Sequence, residues 1–355
     1  MADVKGNIAA LIEPYRDRRG KLKEQLGDSG LRMLAEYCDY SPTGMCDFLG
    51  FPKNSQPNMT RELRRLGIET QKRDPGDPRQ GLSIDEWEEF YLGITSQVER
   101  AEPVEWKLPA KHDEDFGRLH FLGDLHFGNA HQDSVKLMDF VEWLAARKHD
   151  RWILLGDLFE LRTKSSKGEP PVIPQSVAGD LAVKWLEPIM KQCLLVHTGN
   201  HDLRIARQTD MDWDPVRDFA RHFGVPYKGM DGFHILTITK GEDAPQQYIG
   251  YCHHGFGGAR TPGARRNQLV TLLTNTNADY LAMAHLHDKD AGGKVIFGPD
   301  DEGIVGEWAK PVVRTGSWLK HSRGSFARES GIPPGAKGAV TLHVYADKHS
   351  VHARN

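Results

Sequence analysis

The chain has 355 residues, with 46 Lys and Arg against 49 Asp and Glu and a formal net charge of −3. That length leaves room for about two domains, and the near balance of charge excludes the global basic field that announces a polyanion partner. No long apolar stretch and no apolar leader after Met1 is present, which argues against membrane spanning and export and sets the expectation of a cytoplasmic protein. Four cysteines, at 38, 46, 193 and 252, show no close pairing and suit packed, reduced thiols.

In chain order, Ile8 to Leu26 is highly charged with helical spacing, and Leu31 to Tyr37 continues in apolar helical spacing. Ser41 to Phe51 predicts a short helix with an N-cap Ser and a Gly stop, and Asn58 to Gly67 predicts a second. Ile68 to Leu82, with Gly76 and Gly81, fits a wing-like hairpin. Residues 1–94 thus resemble a small helix-turn-helix or winged-helix module, with Arg61, Arg64 and Arg65 on the candidate recognition helix. Between Lys53 and Arg79 seven basic residues face four acidic ones, a local surplus that fits DNA binding and equally a solvated face or a protein-contact module. The acidic run Asp85 to Glu89 dilutes it. Residues 95–115, carrying Pro103 and Pro109, predict a linker.

From residue 116 onward, short apolar strands end in polar clusters. Arg118 to Leu122 runs into Gly123-Asp124-Leu125-His126, where Asp124 and His126, two apart, face the same way. Ser134 to Lys148 predicts an amphipathic helix with Val135, Met138, Val141, Trp143 and Leu144 as packing candidates. Trp152 to Leu155 leads to Gly156-Asp157, and the long loop Leu161 to Gln175 then leaves that motif with a choice between substrate access and plain surface. After a helix around Val177 to Met190, Leu194 to Val196 leads to Gly199-Asn200-His201-Asp202. Tyr248 to Tyr251 precedes His253-His254-Gly255, and Tyr280 to Met283 precedes Ala284-His285-Leu286-His287. Arg260 and Arg265, in a flexible basic stretch after Gly255, are candidates to clamp phosphate oxygens. Arg314 to Ser317 ends a late strand and is read as structural.

Each fragment alone is unremarkable, since Gly-Asn-His-Asp makes an ordinary loop and His-x-His sits on many strand faces. Together they supply Asp, His, Asp, Asn and three His at strand exits, a mix of hard oxygen and borderline nitrogen donors suited to two divalent metals sharing a carboxylate. Strands alternating with helices point to a layered α/β architecture with one active face.

The order of these motifs resembles the calcineurin-like metallophosphoesterase superfamily over roughly residues 115 to 320. The resemblance implies a layered sandwich of two mixed β-sheets flanked by helices over residues 116–355, after the small helical N-terminal domain. It implies one metal held by Asp124, His126, Asp157 and His287, and a second by Asp157, Asn200, His254 and His285, with Asp157 bridging. The ligand in the fourth motif is expected to be His254, because it directly precedes Gly255, with His253 as the alternative. Ala284 stands where the family usually carries Gly. His201 is implied as the acid beside the leaving group, held by Asp202. Two metals would give a bridging hydroxide near neutral pH and meet the charge that builds at phosphorus. Mn²⁺ is the metal the resemblance favours, while Fe²⁺, Zn²⁺ and Mg²⁺ also satisfy such a site.

Gly156 to Glu160 resembles the matching segment of repair-type nucleases in the superfamily, so the expected activity is phosphodiester hydrolysis on DNA with no membrane partner. A small-molecule phosphoesterase or nucleotide-sugar pyrophosphatase is the alternative enzyme, and an inactive DNA-binding scaffold the alternative of another class.

Overall fold

The computed structural model describes residues 13, 21–38, 42–49, 56–66, 88, 92, 99–163, 170–208, 213–259, 261–299 and 303–354. It divides into two compact units, one up to Val98 and one from Glu99. Among the described residues no helix is long and apolar enough to cross a membrane.

The first unit contains α1 (Lys21–Tyr37), α2 (Pro42–Phe48) and α3 (Gln56–Arg65). Leu31, Leu34 and Ala35 of α1 meet Met45, Cys46 and Phe48 of α2 and Met59 and Leu63 of α3 in a small core. The i, i+4 spacing of Met59 and Leu63 puts both on the inner stripe of α3. Arg32 Nη2 donates to the Leu66 carbonyl at 2.6 Å and ties α1 to the end of α3. The expected hairpin at 68–82 lies outside the described residues, as does the first part of the helix expected from Ile8.

The second unit is built on eleven described strands in two mixed sheets. The strands β1 (Glu102–Leu108), β5 (Asp231–Lys240), β6 (Gln246–His253), β7 (Tyr280–Met283), β8 (Asp290–Pro299) and β9 (Val305–Arg314) make a sheet of order β1-β5-β6-β7-β9-β8. The strands β2 (Phe116–Leu122), β3 (Arg151–Leu155), β4 (Cys193–His197), β10 (Val340–Tyr345) and β11 (Val351–Arg354) make the other, of order β11-β10-β2-β3-β4. The pairs β2–β3, β3–β4, β6–β7 and β7–β9 are parallel. Parallel neighbours exit at the same edge, which is what gathers the polar motifs.

The sheets face each other across a core that includes Trp106, Leu119, Phe121, Ile153, Leu236, Tyr248, Tyr280 and Val313. Outside the five-stranded sheet pack α4 (Ser134–Ala145), α5 (Gln175–Met190) and α7 (Pro215–Phe223), the short α6 (Arg204–Gln208) preceding the last. Outside the six-stranded sheet, α8 (Pro262–Thr274) buries Leu269 and Leu273 against Leu281, Met283 and Val312. A short α9 (Phe326–Glu329) lies in the β9–β10 connection.

Two details depart from the sequence reading. Residues 102–108, expected in a linker, form β1, which runs parallel to β5 at the sheet edge. Val104, Trp106 and Leu108 alternate inward with period two, and Pro103 is tolerated because an edge strand leaves some of its N–H groups unpaired. In α4 the buried face is Leu137, Val141 and Leu144, while Val135 and Trp143 are 65% and 40% exposed. Trp143 is covered from outside by the Arg147 guanidinium, 3.9 Å above its ring.

Candidate metal centre

Three of the strands that carry a motif, β2, β3 and β7, run into residues with left-handed backbone. Among the described residues, the non-glycine residues with positive φ are Asp124 (54°), His126 (51°), Asp157 (49°), His285 (72°) and His287 (53°). The left-handed region is uncommon for residues with a Cβ and costs free energy, so it persists only where the surroundings enforce it. Here all five belong to the implied ligand set. Backbone bonds enforce it: Asp124 N donates to the Gly156 carbonyl, His126 N to the Asp157 carbonyl and Ala284 N to the His254 carbonyl. Gly199 is required by close approach, since a Cβ there would sit 2.2 Å from Asp157 Oδ1.

These turns bring Asp124, His126, Asp157 and His287 together with donor atoms within 4.8 Å of one another, and Asp157, His254 and His285 likewise. Asp157 is common to both groups. Asn200 joins the second, its Oδ1 2.9 Å from His254 Nε2. His253 is turned elsewhere and accepts a bond from Gly255 N on its Nδ1 at 2.7 Å.

The arrangement leaves electron pairs facing one another, as a cation site does. Buried Asp157 Oδ2 has no hydrogen-bond partner, yet lies 3.4 Å from His254 Nε2 and 3.9 Å from His126 Nε2. His254 places its Nδ1 2.7 Å from the Leu155 carbonyl, to which that nitrogen donates, so Nε2 turns its lone pair toward both Asn200 Oδ1 and Asp157 Oδ2. His126 Nε2 and His287 Nε2 approach to 3.2 Å. Such contacts repel unless a proton or a metal lies between them. Without metal the proton takes that place: burial alone would lower His254, but the charge of Asp157 raises it to about 9. Burial opposes ionisation of Asp157 too, but the charge of His254 and His201 holds it well below the usual carboxylate range. The mixed His, carboxylate and amide donors fit divalent transition metals.

His201 lies beside this cluster, its Nε2 4.0 Å from Asp157 Oδ2. The sequence reading had Asp202 hold it, and the structure gives that place to Glu160. Asp202 is fully buried and its carboxylate accepts from the backbone N–H groups of Leu158, Phe159 and Gly199, fastening the β4 loop to the β3 loop. Burial and the neighbouring Asp157 charge push its pKa well up. Glu160 Oε1 is 2.8 Å from His201 Nδ1, Glu160 Oε2 is 3.0 Å from His126 Nδ1, and Asn129 Nδ2 donates to that second oxygen. Burial works against the charge on Glu160, but the bonds to His126 and His201 hold its pKa far below the ordinary range. Arg204 donates from Nη1 to Glu160 Oε1 at 2.6 Å and from Nη2 to His201 Nε2 at 2.7 Å. Neither Glu160 nor Arg204 was singled out as a site residue from sequence; the spacing Asp157-x-x-Glu160 on a ligand-bearing loop was the available signal.

The remaining candidates lie elsewhere. Arg265 is buried and committed, donating from Nη1 to Asp288 Oδ2 at 2.9 Å and from Nε to the Ala259 carbonyl, so it cannot serve as a phosphate clamp. With buried Arg314, which donates to the Asp288 carbonyl, it braces the loop after His287. Arg260 lies outside the described residues. In the first unit, Arg61, Arg64 and Arg65 are exposed on α3, and Arg65 pairs with Asp28 at 2.6 Å.

The family model for calcineurin-like phosphoesterases matches residues 117–300, more than half of the chain. The chain belongs to the calcineurin-like phosphoesterase family. As a member it is a hydrolase of phosphoester bonds, and the family implies divalent metals for which the cluster around Asp157 supplies the candidate ligands. Among solved structures, the phosphoesterase Yfce from E. coli is similar at 13% identity, covering 64% of this chain and 87% of its own, with a TM-score of 0.31. The calcineurin-like phosphoesterase YfkN from Bacillus subtilis is similar at 10% identity, covering 68% and 88%, with a TM-score of 0.33. No curated protein matches.

Proposed function

We propose that this calcineurin-like phosphoesterase hydrolyses phosphodiester bonds of nucleic acid, with Mn²⁺ as the working metal and DNA as the substrate. The observation that carries the reading is His201, held beside the Asp157 cluster by Glu160 and Arg204. A sugar alkoxide is a poor leaving group, so cleavage of a nucleic-acid diester profits from a positioned proton donor. Asp124, His126, Asp157, Asn200, His254, His285 and His287 would hold two divalent cations, which when bound supply a nucleophilic oxygen near neutral pH and positive charge for the phosphoryl oxygens.

The chain's own residues do the rest. Glu160 orients His201 through Nδ1, and Nε2 accepts from Arg204 in this arrangement. Once Arg204 yields it, Nε2 would first take a proton from water, and His201 in its charged form would then pass that proton to the leaving oxygen. Arg204, freed from Nε2, has a guanidinium edge suited to a phosphoryl oxygen. Exposed Arg61 and Arg64 on α3 offer additional phosphate contacts if the first unit engages the same substrate.

The test compares single-stranded DNA, duplex DNA and bis(4-nitrophenyl) phosphate with added manganese. Cleavage of DNA is expected, and His201→Ala should lose about 10²–10⁴ in rate on DNA but less on the nitrophenyl ester, whose leaving group needs little protonation. Turnover of the chromogenic ester with none of DNA would overturn the nucleic-acid reading.

A further inference from the structure

We infer that the connection from Trp318 to Gly338, between β9 and β10, is a binding surface for single-stranded nucleic acid entering the metal centre. The inference rests on the proposed nuclease activity and adds which surface holds the strand.

The connection is fastened to the loops that carry the ligands. Trp318 N donates to the Asp124 carbonyl at 3.1 Å, and Asp133 N to the Trp318 carbonyl at 2.6 Å. Lys320 N donates to the His131 carbonyl, and the His131 ring lies 2.7 Å from Ser322 Oγ. At the far end Gly335 lies so close that a Cβ would sit 2.3 Å from the His287 carbonyl oxygen. A segment tied at one end to Asp124 and at the other to His287 borders the centre on that side.

Its charge runs against that of the whole molecule. Between 319 and 338 there are four basic residues, Lys320, Arg323, Arg328 and Lys337, and one acidic residue, Glu329, in a chain whose net charge is −3. Lys337 is spent on Asp133, to which it donates at 2.9 Å, and Lys320 reaches the same carboxylate at 3.7 Å. Arg323 and Arg328 are exposed and make no ion pair among the described residues. Between them Phe326 presents an aromatic ring that is 49% exposed.

Cations spaced around an unpaired aromatic ring suit one polymer in particular. Phosphates pair with the guanidinium groups while an unstacked base lies on the ring, which duplex DNA, with its bases paired inside, does not offer. An acidic protein surface would use the arginines but leave Phe326 without a partner, so single-stranded nucleic acid accounts for both.

The test uses the full chain in EDTA and a short fluorescein-labelled oligothymidylate, read by fluorescence anisotropy across a salt series, with turnover of bis(4-nitrophenyl) phosphate in manganese measured in parallel. The double variant Arg323→Ala/Arg328→Ala should lower the log–log salt slope by about 1.4, about 0.7 for each lost phosphate contact on a single strand. Phe326→Ala should weaken binding about tenfold with the slope unchanged. Turnover of the small ester should stay at the wild-type level in all variants, which also reports that they fold. If the wild-type chain binds and cleaves the oligonucleotide while the variants bind it with unaltered affinity and slope, the surface assignment falls and the nuclease reading stands. If the wild-type chain turns over the small ester but neither binds nor cleaves oligonucleotide, both fall.

Discussion

Glu160 serves two imidazoles with one carboxylate, and each needs it for a different reason. Its charge, 3.0 Å from Nδ1 of His126, favours a proton there and leaves Nε2 to face the cluster; by accepting from Nδ1 of His201 it fixes the orientation of the proposed acid. Glu160→Gln replaces one acceptor oxygen with a donor that confronts a ring N–H. Metal affinity should fall about 10–100-fold, the usual cost of losing an outer partner of a ligating His, and turnover should fall with it. Calorimetric titration with Mn²⁺ checks the first effect, and unchanged affinity would reduce Glu160 to a partner of His201 alone. The residues that gather around Asp157 were readable one motif at a time because each motif follows an apolar strand. Glu160 was not, because its role is defined by rings 34 and 41 positions away in the chain. Asp202 misled for the converse reason: adjacency to His201 suggested a side-chain pair, whereas the turn folds its carboxylate onto backbone N–H groups.

Among the elements, β1 shows how local signals can mask a strand. Pro103 inside it and Pro109 just after it read as linker punctuation, while the alternation of Val104, Trp106 and Leu108 carries the strand signal in only seven residues. Trp106 is fully buried, its ring so close over Gly117 that no Cβ could be added there, and its Nε1 donates to the His149 carbonyl. The edge strand thus closes one end of the core between the sheets. Trp106→Ala should destabilise the chain by about 3–5 kcal/mol, the range for emptying a large aromatic site, as read from urea unfolding. A loss below about 1 kcal/mol would mean that β1 is an appendage, as the linker reading had it. The strands β2, β3, β4, β6 and β7 were legible because their short apolar runs stop at Gly or His. That they divide between two sheets was not, since strand partners are chosen by long-range packing.

At the scale of the molecule, the buried histidines set how the metal-free chain responds to pH. Burial lowers His197 to about 3 and His234 to about 4, so both stay neutral while folded, whereas an unfolded His takes a proton near 6.5. The unfolded state therefore binds more protons between about pH 6.5 and 3–4, and stability falls as pH falls through that window. His254 acts oppositely: raised to about 9 in the folded chain, it stabilises fully below 6.5 and loses that contribution as pH rises through 9. Thermal melting in EDTA should show a maximum bounded by these two flanks, and a melting temperature that climbs steadily to pH 10 would contradict the alkaline one. Bound metal should remove the alkaline flank, because a ligating His254 carries no proton. The measurement that bears most directly on the whole account is metal content per chain, taken with phosphodiester turnover, for the wild type and Asp157→Ala. The shared carboxylate predicts two equivalents and turnover in the wild type, and lost metal with no turnover in the variant. Two equivalents retained in Asp157→Ala with wild-type turnover would contradict it.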